Sequence, residues 1–377
     1  MRGGVRKRGN KWYYYFELAI VEGKRKKIER VGGDTKKEAQ TALRIALSEY
    51  EDCGNVFDEN NISVSDFLDF WYKEYVMLNC KFQTQNNYKR AIENHIKPNL
   101  GRYKLKLITP LIIQKFLNDK SKENYSSGTI RVIKGVLNNS FKMAVYPYKF
   151  IKENPMFYIK VPKNAIENKE NNKLKIITLD EFNTIIKKYN KEHYMNIVLN
   201  IGFSTGMRAG EVLGLRWEDI DLKNKIIKVR HTLIDKGNGI FELTTPKTDS
   251  SVRDIQIGDS LIKSLKEKKI EQKELKLKYG QWYFDSDWVC TKKNGSQITL
   301  HSLKNMSRTI NRDLGIDFNF HSLRHTHATM LLEAGANIKD IQKRLGHNKI
   351  ATTMDTYSHV TNKMKTETVN IFEGIIK

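Results

Sequence analysis

Residues 163–175, KNAIENKENNKLK, contain almost nothing that can be buried, and this stretch constrains the rest of the chain. A segment so polar cannot run through a core. The residues on either side must therefore fold around separate apolar clusters, with this stretch as an interdomain linker. The full length of 377 residues also exceeds one ordinary core. The expected organisation is a small unit at 1–56, a helical unit at 60–162, the linker, and a large unit at 176–377.

The formal net charge is +23 at pH 7. An excess of that size points to a polyanionic partner, usually nucleic acid. The plainer account is a Lys-rich chain from an AT-rich genome, which the many Asn and Ile residues also suit. No apolar run approaches membrane-spanning length, so no membrane partner is expected. The N-terminal MRGGVRKRGN is basic, but no apolar h-region follows, so it does not read as a signal peptide. Cys53, Cys80 and Cys290 are few, odd in number and far apart. That fits a reduced cytosol and neither a disulfide framework nor a zinc ribbon.

In the first unit a basic arm precedes WYYYFELAI, whose aromatic and β-branched content predicts a strand. A turn at Glu22–Gly23 leads to a second strand, KRKKIERVGG. Thr35-x-x-Glu38 then forms a capping box, and Ala39, Ala42, Leu43, Ala46, Leu47 and Tyr50 make one apolar helix face. That face can close one side of a small sheet and leave a cationic surface on the other. Arg6, Lys7, Arg8, Lys11, Trp12 and Tyr14 are candidates for entering a DNA groove. A solvated charged hairpin is the competing reading.

The second unit reads as four helices. One follows Ser63/Ser65, and a second holds Tyr88, Ile92 and Ile96 and stops at Pro98 and Gly101. A third starts at Thr109–Pro110, and the fourth carries Ile130, Ile133, Leu137, Phe141 and Ala144 at helical spacing. Lys81, Thr84, Tyr88, Lys89, Arg131 and Lys134 lie at or near helix starts, where backbone N–H groups suit phosphates. Taken singly, each is also an ordinary surface residue.

In the third unit, Thr178-x-x-Glu181 caps a helix and a second helix leads to Gly206. A three-stranded meander is expected next, from IIKVRHTL, FELTTP and VRDIQI with turns at DKGNG and KTDSS; the remainder reads as mainly helical. Histidines are scarce, nine in all, yet HSLRHTHATM gathers His321, His325 and His327 around Arg324, and LGH adds His347. Arg208 follows Gly206, where one helix ends and the next begins. Two guanidiniums can hold the non-bridging oxygens of a phosphodiester and favour the more highly charged phosphorane. Glu211, three residues after Arg208, shares its helical face and would orient a cation. Lys247 stands at a turn tip, exposed enough to reach a substrate, although a Lys at such a position is usually just a solubilising residue. Tyr357 supplies a nucleophile whose phenol, with a pKa near 10, needs neighbouring cations or a base. His321 and His347 can share its proton or bind phosphoryl oxygens.

Taken in order, the Arg of TGMRAGE, the Lys of TPKTDSSVR, the H-x-x-R pair, the LGH histidine and the TYSH tyrosine resemble the tyrosine recombinase, or phage integrase, family. The likeness is to integrases of Gram-positive phages and conjugative transposons, with no departure at these positions. It implies a multidomain, mainly α protein with small β-sheets. An AP2-like three-stranded sheet plus helix would bind arm-type DNA, a SAM-like helical domain would bind core DNA, and a mixed α/β domain would carry catalysis.

The resemblance also implies transesterification without metal, cofactor or ATP. Tyr357 would attack the scissile phosphate and leave a 3′-phosphotyrosyl link and a free 5′-hydroxyl. Arg208, Arg324, His321 and His347 would stabilise the transition state, with Lys247 protonating the leaving oxygen. His325 and His327 would help to pack or orient the site. The implied partners are double-stranded attachment sites, three further protomers in a tetramer on a Holliday junction, and an excisionase or host DNA-bending factor, in the nucleoid of a bacterial cytoplasm. In TETVNIFEGIIK, Val369, Phe372 and Ile376 share one helical face, which would dock on a neighbouring protomer or on its own domain.

Other readings fit less well. His321 and His325 are i, i+4, but a zinc hydrolase would need the Glu of H-E-x-x-H, and Arg324 would repel the metal. No cluster of Asp and Glu suits a two-metal transposase. A non-catalytic DNA-binding protein explains the charge but not the Arg–Lys–His–Arg–His–Tyr order. A type IB topoisomerase or a chromosome-dimer resolvase would not need the N-terminal unit.

Overall fold

The computed structural model describes residues 3–21, 24–53, 62–162, 175–237, 240–245, 251–348, 350 and 354. It divides into two compact units, Met1–Asn168 and Lys169–Lys377.

The first unit begins with an antiparallel sheet in the order β1 (Gly3–Arg8), β2 (Lys11–Val21), β3 (Lys24–Gly33), followed by α1 (Lys36–Cys53). The capping box forms: the Glu38 amide donates to Thr35 Oγ1 at 3.2 Å, and the Thr35 amide donates to Glu38 Oε2 at 3.1 Å. Tyr14, Phe16 and Ala46 form the small core, with Val5, Ile28, Ala42, Leu43 and Leu47 against it. Strand alternation then decides which residues face away from α1. Arg6 pairs with Tyr13 and Gly4 with Tyr15, so these positions share the face opposite Tyr14 and Phe16.

A separate apolar cluster organises the helical part. Here α2 (Val64–Trp71) continues through a π turn at Tyr72–Val76 into α3 (Met77–Asn79). Next, α4 (Phe82–Ala91) runs through a π turn at Ile92–Ile96 into α5 (Lys97–Leu100). This helical run stops as expected near Pro98 and Gly101: Pro98 lies just after the π turn, and the helix ends at Leu100 with Gly101 as its C-cap. The unit closes with α6 (Pro110–Lys122), capped by Thr109, and α7 (Ser127–Val145), capped by Ser126. Phe67, Trp71, Ile96, Ile113, Leu117, Ile133 and Phe141 are all fully buried where these helices meet.

The second unit contains α8 (Leu179–Lys188), α9 (Asn196–Thr205) and α10 (Ala209–Leu213), then, among the described residues, five short strands. These are β4 (Ile220–Asp221), β5 (Ile226–Val229), β6 (Thr232–Gly237), β7 (Ile240–Thr244) and β8 (Arg253–Gln256). The expected three-stranded meander is replaced by two sheets. One is ordered β4-β5-β8, and the other is the β6-β7 hairpin. The segment IIKVRHTL breaks at Arg230–His231: Arg230 Nη2 donates to Asp254 Oδ1 of β8 at 2.7 Å, whereas β6 leaves to lie against α10. A single straight strand could not satisfy both partners. Among the described residues the unit continues with α11 (Asp259–Tyr279), α12 (Leu300–Leu314), α13 (Phe320–Glu333) and α14 (Ile338–Leu345). Its core includes Val198, Ile201, Val212, Ile227, Ile255, Leu265, Phe318 and Leu323.

Candidate active site

Two helix ends build the site. Helix α9 stops at Gly206 with φ 65°, and α14 stops at Gly346 with φ 69°, both in the left-handed region that closes a helix without a Cβ penalty. Each stop turns the chain so that a carbonyl left over from helix termination meets a guanidinium. Arg324, 2% exposed, donates from Nη1 to Gly206 O at 2.9 Å and from Nη2 to Leu345 O at 2.8 Å. Arg208 donates from Nη2 to Gly346 O at 3.1 Å. The motifs TGMR and LGH are therefore the same device used twice: a left-handed glycine cap followed within two residues by Arg208 or His347.

Glu211 pairs with Arg208. Its Oε1 accepts from Arg208 Nη1 at 2.8 Å, and its Oε2 accepts from the Arg208 amide at 3.0 Å. Sequence reasoning did not foresee that Glu211 also holds a second guanidinium. Arg253 donates to Glu211 Oε2 at 2.9 Å and, from Nε, to Arg344 O at 2.6 Å. The Arg253 and Glu211 side chains are only 6% and 2% exposed. Burial alone would raise the Glu211 carboxyl, but the hydrogen bonds and charge of Arg253, then Arg208, hold it below the ordinary carboxylate range. The signal was present in VRDIQI, where Arg253 occupies the same inward phase as buried Ile255 and Ile257. An inward Arg requires a buried carboxylate.

The imidazoles around these cations are uncharged at neutral pH. Burial, then Arg324 and Arg208, push His347 down to about 4. Burial, then His321 and Arg324, push His325 to about 4. His321 is lowered by the same order of causes, burial first and then Arg324 and Arg208, although its residue surface is solvent-exposed. Its exposure matters for access, and its ring stands edge-on to His325 with centroids 4.7 Å apart. Positive charge in the site therefore resides on guanidiniums, and neutral imidazoles are groups able to accept or share protons. This donor set matches an anionic phosphodiester that gains charge on its way to a phosphorane.

Arg208, Arg324, His321 and His347 thus come together with Glu211. Lys247, Tyr357 and the C-terminal tail lie outside the described residues. Among the DNA-contact candidates, Arg6, Arg8 and Lys11 share the sheet face away from α1. Arg6 pairs there with Glu29, and Lys27 sits 3.8 Å over the Tyr15 ring. Tyr14 is buried at 8% beneath α1, and by register Lys7 and Trp12 share its side of the sheet. Lys81 and Thr84 open α4, and Lys89 lies near its end. Tyr88 stacks on Trp71 and accepts from Asn139 Nδ2 at 3.1 Å. Arg131 is exposed in the first turns of α7, and Lys134 Nζ donates to Ile159 O at 2.5 Å.

Three domain families match the chain: the phage integrase family at residues 175–364, the phage integrase N-terminal SAM-like domain at 63–121, and an arm DNA-binding domain at 5–50. A "Tyrosine recombinase XerC-like" protein of Caldanaerobacter subterraneus subsp. tengcongensis is 32% identical, covering 98% of this chain and 97% of the relative. The integrase of Staphylococcus phage L54a is 29% identical over 82% of this chain and 92% of its own length. Among solved structures, the Tn1549 transposon integrase in complex with a circular intermediate DNA superposes with a TM-score of 0.66 at 19% identity. That match covers 81% of this chain and 99% of the other. A lambda integrase tetramer bound to a Holliday junction gives 0.56 at 18% identity and 92% coverage of both chains.

By its family matches this is an enzyme that cuts and rejoins DNA. The chain belongs to the phage integrase family, as a tyrosine recombinase of the kind found in phages and conjugative transposons.

Proposed function

We propose that this recombinase integrates and excises a mobile element or prophage by cutting attachment-site DNA through a 3′-phosphotyrosyl link to Tyr357. The observation that carries the residue roles is the paired fork: Arg208 and Arg324 are aimed by carbonyls at the ends of α9 and α14, with His347 immediately after one of them. In this reading the two guanidiniums hold the non-bridging oxygens, and His321 and His347 bind or relay protons. Lys247 donates a proton to the leaving 5′-oxygen. The link conserves the energy of the broken ester, so a partner strand's 5′-hydroxyl reverses the step without ATP.

The three matched segments support an arm-type unit near 1–56, a core-binding unit near 60–162 and a catalytic unit from 176 onward, separated by a linker at 163–175. The solved Holliday-junction complex of lambda integrase supports a tetramer working in two pairs. An excisionase or host bending factor would set direction, in a bacterial cytoplasm at the nucleoid. Among the described residues no helix is long and apolar enough to cross a membrane.

Incubation with a nicked suicide duplex bearing the element's attachment sequence tests the reading. A protease-sensitive covalent protein–DNA adduct is expected, and Tyr357→Phe should abolish it while leaving DNA binding intact. An adduct that survives Tyr357→Phe would assign the nucleophile elsewhere.

A further inference from the structure

The two carbonyls that grip Arg324 belong to different helices, so something must hold those helix ends in register. Arg344, one residue before Leu345, does this with a single side chain. Its Nη2 donates to Ser204 O in the last turn of α9 at 3.0 Å, and its Nη1 donates to Gln256 O at the end of β8 at 2.9 Å. Its Nε donates to His327 Nε2 on α13 at 2.9 Å. His327 stands three residues after Arg324, and its Nδ1 lies 2.9 Å from Phe203 O of α9. The protonation of this imidazole follows from its neighbours. A guanidinium can only donate, so Nε2 must present its lone pair, and Nδ1 carries the hydrogen that the Phe203 carbonyl accepts. Only the neutral Nδ1–H tautomer satisfies both contacts.

We propose that His327 and Arg344 are positioning residues for strand cleavage. The neutral imidazole locks the Arg344 guanidinium, which in turn clamps the ends of α9 and α14 at the separation that aims Arg324. This inference rests on the reading of Arg324 as a phosphate-binding residue. Neither member of the pair touches DNA in this account, and both act through the Gly206 and Leu345 carbonyls. Burial, then Arg344, with Arg324 as a smaller cause, outweigh the Phe203 carbonyl and push His327 down to about 4, consistent with a ring that accepts from a cation.

The test uses the full chain and the nicked suicide duplex, and measures the single-turnover rate of adduct formation and the dissociation constant for DNA separately. His327→Phe fills the space without an acceptor, and should slow cleavage by roughly ten- to a hundredfold, the loss expected from misplacing a reacting group by about an ångström. DNA affinity should stay within about threefold. His327→Gln, whose Oε1 can accept from Arg344, should recover most of the rate. Arg344→Leu should slow cleavage similarly, and the double variant should be no slower than the worse single variant. Nitrogen NMR of the wild type should show His327 as the Nδ1–H tautomer, and Arg344→Leu should change that signal.

Three results would each overturn the inference: a His327→Phe cleavage rate within twofold of wild type, losses that multiply in the double variant, or an Nε2–H tautomer. If His327→Phe fails to fold, Arg344→Leu and the tautomer still decide. Arg324→Ala separates the two readings, because undiminished cleavage in that variant would sink the phosphate-binding role itself.

Discussion

At the residue scale the decisive chemistry is the sharing of one carboxylate by two guanidiniums. Glu211 meets Arg208, which is half open to solvent, and Arg253, which is buried. Removing the carboxylate leaves Arg253 as an uncompensated buried cation. Glu211→Ala should therefore lower unfolding free energy by about 3–5 kcal/mol in urea titrations and depress adduct formation as well. The histidines add a pH dependence. His325, His327 and His347 are each lowered from the ordinary 6.5 to about 4 in the folded protein. Below pH 6.5 the unfolded chain binds protons that the folded chain refuses, so their contribution is complete above 6.5 and is lost as pH falls toward 4. Thermal melting temperature should decline steadily across that window, and His327→Gln should flatten the slope. A bound phosphodiester should reverse part of the depression, because it neutralises the arginine field that helps to lower His347. Proton NMR should find the His347 pKa higher in the DNA complex than in the free protein.

At the element scale, function depends on how helices stop. Gly206 has φ 65°, and a Cβ there would come within 2.8 Å of Leu345 Cδ2 and 2.9 Å of His327 Cδ2. Gly206→Ala therefore combines a left-handed backbone cost of about 1–2 kcal/mol with a collision against the residues that surround Arg324. Loss of both stability and cleavage is expected, measured by denaturation and adduct yield. Retained cleavage would show that the cap is not needed to aim Arg324. The N-terminal sheet illustrates a second element-level rule. Trp12 and Tyr14 are as aromatic as Tyr13 and Tyr15, but strand parity puts Tyr14 under α1 and leaves Tyr15 beside Lys27 on the other face.

At the scale of the whole molecule, the formal charge of +23 sets how this protein meets DNA. Each phosphate neutralised releases counterion, so the logarithm of affinity should fall with the logarithm of salt at roughly −0.9 per contact. Anisotropy titrations at several salt concentrations should give a steep slope. A slope near zero would mean that the lysines face solvent rather than the duplex.

Much of this was legible in the linear order of residues. Capping boxes at Thr35/Glu38 and Thr178/Glu181, caps at Ser63 and Thr109, and the spacing of Ile and Leu are local, so helices follow from them directly. The motifs around Arg208, Arg324 and His347 were readable for the same reason, since each sits beside its own helix start or stop. The strand partners were not. IIKVRHTL has the same composition whether it continues or breaks, and only Arg230's pairing with Asp254 and the pull of α10 on β6 decide. Nor could spacing reveal that Arg253 and Arg344 converge on the site from β8 and α14. Residues 42 positions apart in Glu211 and Arg253, or 17 apart in His327 and Arg344, meet only after the chain has folded. Local sequence decides backbone geometry because capping and periodicity act over a turn or two. Charge partnership in a core is decided by tertiary packing, because removing water from a guanidinium makes its nearest carboxylate, carbonyl or imidazole in space obligatory, whatever its distance along the chain.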